Sequence, residues 1–162
     1  MATSFFKVLT PNSGLVVYGS ELTANGAAIK EGLMVTLDSG GRQVSLAATT
    51  GSKPMGVAFG DRFTVYAPTT KTFANAEVLS VVTGTFLAAV SADYFSSGSL
   101  PTEVAPRLLY SGANGLLDVA TNALGPVARL IDRKTYTAGT GGTGASVEAA
   151  VVQYDFGITT AS

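Results

Sequence analysis

The 162-residue chain has no cysteine, no histidine and no tryptophan. Without cysteine there are no disulfides, no thiolate nucleophile and no sulfur-ligated metal site. Without histidine the commonest general base and the commonest transition-metal ligand are missing. Ser–His–Asp and Cys–His catalysis therefore cannot be assembled within one chain.

Charge is scarce as well. Asp, Glu, Lys and Arg make up 13% of the residues, about half the globular average. Ten basic and eleven acidic side chains leave a net charge of −1. Nucleic-acid binding needs clustered Lys and Arg to displace counterions from phosphates. The nearest approach to a cluster is Arg129, Arg133 and Lys134, which reads as a solvated strand end. A surface this thinly charged does little to oppose self-association, and burial in a larger assembly accounts for it. No apolar run approaches the roughly 18 residues needed to span a bilayer. The start, Met-Ala-Thr-Ser-Phe-Phe-Lys, lacks the basic region and long apolar core of a signal peptide, so export by that route is not expected.

What the chain does have is a duplication. Residues 35–58 and 107–130 align without a gap: Leu37, Ser39, Gly40, Ala48, Thr49 and Pro54 recur 72 residues later as Leu109, Ser111, Gly112, Ala120, Thr121 and Pro126. About one or two identities are expected by chance in such a window, so six point to a repeated unit. Its pattern is strand, Gly turn, strand, polar loop and Pro-led strand.

In the first copy Leu33, Val35 and Leu37 alternate with Met34, Thr36 and Asp38, the period of a strand with one buried face. Asp38-Ser39-Gly40-Gly41 supplies the positive-φ positions of a hairpin turn. Pro54 opens the next strand, where a missing N–H breaks no interior ladder. Residues 63–67 alternate again. Residues 77–90 are rich in Val and Thr and read as a strand, with Gly84 a kink, a bulge or a junction. Residues 91–106 read as a surface loop with one short helical turn, and residues 147–156 as the closing strand. Short strands separated by regular turns predict a mainly β fold, a small barrel or sandwich built on the duplicated unit.

The domain reading is a single β-domain over residues 27–157, with repeat units 35–58 and 107–130, and a tail at 158–162. Residues 1–26 are an N-terminal extended arm or a first hairpin, reversing at Pro11-Asn12-Ser13-Gly14. Phe5, Phe6, Val8, Leu9 and Tyr18 are the candidate assembly interface, because exposed aromatic pairs are costly unless something covers them. The competing reading places those aromatics in the domain's own core.

Other motifs are weaker. Residues 139–144, GTGGTG, formally fit G-x-G-x-x-G, yet no helix or ribose-binding acid follows, and a Gly-rich loop is the plainer reading. Asp38, Asp61, Asp93, Glu103, Asp118, Asp132, Glu148 and Asp155 are scattered singly, a poor arrangement for paired-carboxylate catalysis. Asp61-Arg62 and Asp132-Arg133 read as strand-end ion pairs. No catalytic, cofactor or metal site is assigned, and an enzyme is not expected.

The succession Glu31-Gly32-Leu33-Met34-Val35-Thr36-Leu37-Asp38, Pro54-Met55-Gly56-Val57-Ala58 and Val81-Val82-Thr83-Gly84-Thr85-Phe86, followed by the second Gly-turn copy and Val-Val-Gln-Tyr-Asp-Phe, resembles capsid decoration (cement) proteins of tailed bacteriophages. The resemblance covers roughly residues 27–157 and lies in scaffold positions. It implies a virion protein on the capsid surface, made in the host cytoplasm. Its implied partners are the major capsid protein and itself, as a homotrimer, with no cofactor, nucleic acid or membrane. A tail-tube or head-fibre-base protein is the alternative from the same particle. A carbohydrate-binding module is the alternative from another class, with Tyr18, Tyr66, Tyr110, Tyr136 and Tyr154 as its platform.

Overall fold

The computed structural model describes residues 5–26, 28–59, 72–102, 107–137 and 146–156. Five strands close a barrel in the order β1 (Phe6–Ala24), β4 (Gln43–Leu46), β3 (Met34–Leu37), β5 (Gly56–Phe59) and β7 (Val78–Ser91), with β7 returning to β1. One apolar cluster draws Leu22, Ala24, Val35, Val44, Ala58, Leu79 and Val81 from these strands. The small ribbon of β2 (Ile29–Lys30) and β6 (Thr72–Phe73) adds Ile29 and Phe73 to the same cluster. The Asp38 turn forms as its residues dictate, with Gly41 at φ 73° and its N–H donating to the Asp38 carbonyl at 2.8 Å.

The second copy supplies β8 (Arg107–Ser111), β9 (Leu117–Asp118) and β10 (Pro126–Thr137), and β11 (Ser146–Asp155) follows. β8 pairs antiparallel with β9 and with β10, as β3 pairs with β4 and β5. β10 then pairs with β11, as β5 pairs with β7. The two copies therefore share connectivity as well as sequence. Their turns differ: Gly-Gly in the first copy is replaced by a 3₁₀ turn, Ala113–Gly115, that places Asn114 at φ 56°.

The halves share β7. β1 runs along one edge of β7 from Val78 to Val90. On the other edge β5 covers Ser80 to Val82 and β11 covers Thr85 to Ser91. Gly84, at φ 81°, marks the changeover, and its carbonyl accepts the Phe156 N–H at 3.0 Å. Of the alternatives expected at that glycine, the strand stays single and changes partner there, so it is not a junction of two strands. A φ in this range suits glycine because a Cβ there meets the backbone.

β5 is buried on both faces, since Ala58 joins the barrel cluster while Val57 and Phe59 join the larger core. That larger core holds Phe6, Phe86, Leu109, Leu117, Leu130, Val152 and Tyr154. Phe86 stacks on Tyr154 with ring centroids 5.0 Å apart, and Tyr154 on Phe156 at 5.3 Å. The second half closes on itself through the 3₁₀ turn Ala92–Tyr94, after which Phe95 makes a parallel bridge to Leu117. That turn is the helical one expected in the loop after residue 90.

Residues 6–24 differ from the expected reversal. Thr10 pairs with Leu87 and Gly14 with Thr85, so the chain keeps its direction and residues 11–13 bulge opposite Phe86. Turn-forming residues yield here to a long-range ladder that absorbs them as a bulge. The strand expected at residues 63–67, the Asp61-Arg62 pair and the Gly-rich segment 139–144 lie outside the described residues.

Candidate functional site

Each described carboxylate with a resolved contact serves local architecture. Asp38 accepts from Asn25 Nδ2 at 2.7 Å and Ser45 Oγ at 2.9 Å, steadying the first hairpin. Asp118 accepts the Ala120 N–H at 2.9 Å, an ordinary turn contact. Asp155 accepts from Thr85 Oγ1 at 3.3 Å. Arg133 pairs with Glu148 at 2.5 Å, while Asp132 accepts the Arg133 backbone N–H at 2.7 Å. The expected Asp132–Arg133 ion pair is thus replaced by a cross-strand pair, because neighbouring residues on a strand point to opposite faces. Among the described residues no group of three or more Asp, Glu, His or Cys side chains is placed to hold a metal.

The most elaborate polar construction surrounds the start of β1. Phe5 donates its N–H to Ser91 Oγ at 2.8 Å and accepts the Ser91 N–H at 2.9 Å. The Ser91 hydroxyl also bonds the Asp93 carboxylate. Asp93 meets Lys30 Nζ at 2.6 Å, and that ammonium lies 4.3 Å from the Tyr94 ring centroid. The Tyr94 hydroxyl donates to the Glu31 carbonyl at 2.6 Å. The network ties the end of β7 to the β2–β3 turn.

Phe5 and Phe6 straddle the sheet at this point. The Phe5 side chain packs with Ala89, Val147 and Ala149 in a small cluster apart from the main core, and its ring stacks on Tyr136 at 5.3 Å. Burial pushes the Tyr136 hydroxyl pKa up, with the nearby Asp132 charge adding to the rise. Phe6 enters the main core beside Tyr94, ring centroids 5.9 Å apart. Gly32 makes this slot possible: a Cβ there would lie 2.7 Å from the Phe6 ring and 2.8 Å from Tyr94.

Of the candidate interface residues, then, Phe5 and Phe6 are buried in the chain's own core. Val8 packs on the main core and Leu9 on the Phe5 cluster, both half-buried. Tyr18 pairs through its backbone with Val81, and its side chain lies outside the described residues. Ser91 and Gly32, which complete the slots around Phe5 and Phe6, carry no local signal, because their partners are remote in sequence.

A second feature lies on the outer face of the second half. Leu108, Arg129, Gln153 and Leu87 form one row across β8, β10, β11 and β7. A cavity of about 290 Å³ opens beside them, lined by Leu108, Arg129, Gln153, Asp155, Thr85 and Pro126 among others. Arg129 is the duplicate of Val57, which is fully buried between the two halves. The same position is apolar where the other half covers it and cationic where nothing described does. Of the tyrosines offered for a sugar platform, Tyr154 is buried and Tyr136 is stacked by Phe5, while the Tyr18 side chain lies outside the described residues. Tyr66 lies outside the described residues.

No protein-family model matches the chain, and no curated protein matches it.

Proposed function

We propose that this chain is a structural virion protein, a decoration or cement protein that binds the outside of a tailed-phage head and stabilises it. The observation that carries the reading is a doubled β body, its halves joined through one continuous strand, in a chain only 13% of whose residues are charged. A preorganised body loses little entropy on docking, and many copies on a lattice add their modest binding energies. Leu108 and Ile131, exposed by 43% and 38%, offer apolar contacts on the second half. The partners in this reading are the major capsid protein and further copies of the chain as a homotrimer, at the capsid surface. The role is structural rather than catalytic.

The test is binding of the purified chain to purified heads stripped of it. Saturable occupancy at a fixed ratio to the major capsid protein is expected. Absence of binding rejects the shell reading, and spontaneous assembly of the chain alone into tubes or into rings larger than a trimer assigns it to the tail instead.

A further inference from the structure

We infer that the two slots holding Phe5 and Phe6 also accept that pair from a second copy of the chain, so that copies join by exchanging residues 5–10. This deepens the self-association part of the proposed function, and its test uses the purified chain alone, so either can fail without the other.

The receptor is complete without the segment it holds. Ser91 supplies both backbone-directed hydrogen bonds, Ala89, Val147, Ala149 and Tyr136 receive one ring, and Gly32 with Tyr94 receives the other. Every one of these groups lies well after residue 10, so a Phe-Phe pair on any chain finds the same surface.

The tether is built to let go. Residues 11–13 stand opposite the single residue Phe86, and a further register shift separates Val8 from Thr10. The ladder is therefore interrupted on the inner side of the segment, and Pro11 has no N–H to donate. Straightened, three residues span about 10 Å, enough to redirect the segment to a neighbour. Exchange replaces each contact with the identical contact in trans, so its equilibrium is set by the hinge and by concentration. Made head to tail, the same step joins further copies, the homotrimer of the proposed function among the closed forms it allows.

The chain has no cysteine, so engineered thiols report cleanly. Lys7 and Ala89 are cross-strand partners, and such pairs lie within disulfide reach. A chain carrying only Lys7→Cys is mixed with a chain of different mass carrying only Ala89→Cys and then oxidised. A heterodisulfide dimer that grows with concentration is expected, and it is lost when Asn12 and Ser13 are also deleted from the Lys7→Cys chain. Absence of the heterodimer across the concentration range overturns the inference. Sedimentation of the unsubstituted chain against the Asn12-Ser13 deletion needs no thiol. Multimers in the first and monomers in the second are expected, and equal masses overturn it.

Discussion

Thr23 and Phe95 hold equivalent places in the two halves of the molecule. Thr23, near the end of β1, pairs in parallel with Gln43 of β4, and Phe95, just after β7, bridges in parallel to Leu117 of β9. They stand 72 residues apart, the offset of the aligned copies. Their partners, Gln43 and Leu117, stand 74 residues apart, so the likeness extends beyond the aligned window with a two-residue shift, as a strand pairing in the first half and a single bridge in the second. β7 ends one circuit and begins the next.

If Gly84 is the changeover in that shared strand, a side chain there is strained by its φ of 81°. Gly84→Val is expected to lower stability by about 1–3 kcal/mol, with the loss felt by both halves in a single transition. Urea unfolding followed by circular dichroism measures it. Two separated transitions would show that the halves are not coupled through β7.

Gly32→Ala tests the Phe6 slot. The added methyl would sit 2.7 Å from the Phe6 ring at a φ of 90°. Overpacking and backbone strain together are expected to cost about 2–4 kcal/mol. A urea midpoint unchanged from the parent would mean that Phe6 does not occupy the slot.

The Lys30–Asp93 pair predicts a smaller effect. Its side chains are 27% and 31% exposed, so solvent screens the attraction, and the cation–π contact with Tyr94 adds to it only modestly. Lys30→Met is expected to cost about 1 kcal/mol or less. The same denaturation experiment at low and high salt checks this, the difference from the parent shrinking as salt rises.

Tyr154 predicts alkaline instability. Burial, with nearby Tyr94 contributing, holds its hydroxyl pKa far above the usual value of 10.0 in the folded chain. The folded state thus keeps a proton that the unfolded state releases, and the stabilisation is full below about pH 10 and lost as pH rises beyond it. Stability is expected to fall by up to about 1.4 kcal/mol per pH unit from this residue, and Tyr154→Phe is expected to flatten the dependence. Ultraviolet titration of the folded chain is expected to leave at least one of its six tyrosines un-ionised at pH 11. Ionisation of all six without unfolding would contradict the burial.

Much of this architecture was legible in the sequence because it depends on local chemistry. Alternation over residues 33–38, the Asp38 turn, Pro126 at a strand start and Pro54 just before one locate β3, β4, β10 and β5, although the single buried face expected of β3 is not seen: Leu37 is exposed and Met34 is buried in the larger core. Gly84 could be read as an irregular point within residues 77–90 because only glycine accepts its φ readily. β1 was not legible: Pro11-Asn12-Ser13-Gly14 has turn composition, and only pairing with Leu87 and Thr85 makes it a bulge. The site suffers from the same distance effect. Phe5 and Phe6 stood out as apolar residues needing cover, but their receptors, Ser91 and Tyr136 among them, are remote in the chain. Arg133 shows the converse error, since sequence adjacency suggested Asp132 as its partner while the pleat delivers Glu148.

The most direct test of the assembly role is electron cryomicroscopy of heads saturated with the purified chain. The account predicts a regular outer layer in which each copy fits as one body, both halves together and β7 continuous between them. Heads whose surface stays bare at saturating concentration, or density confined to the tail, would contradict it.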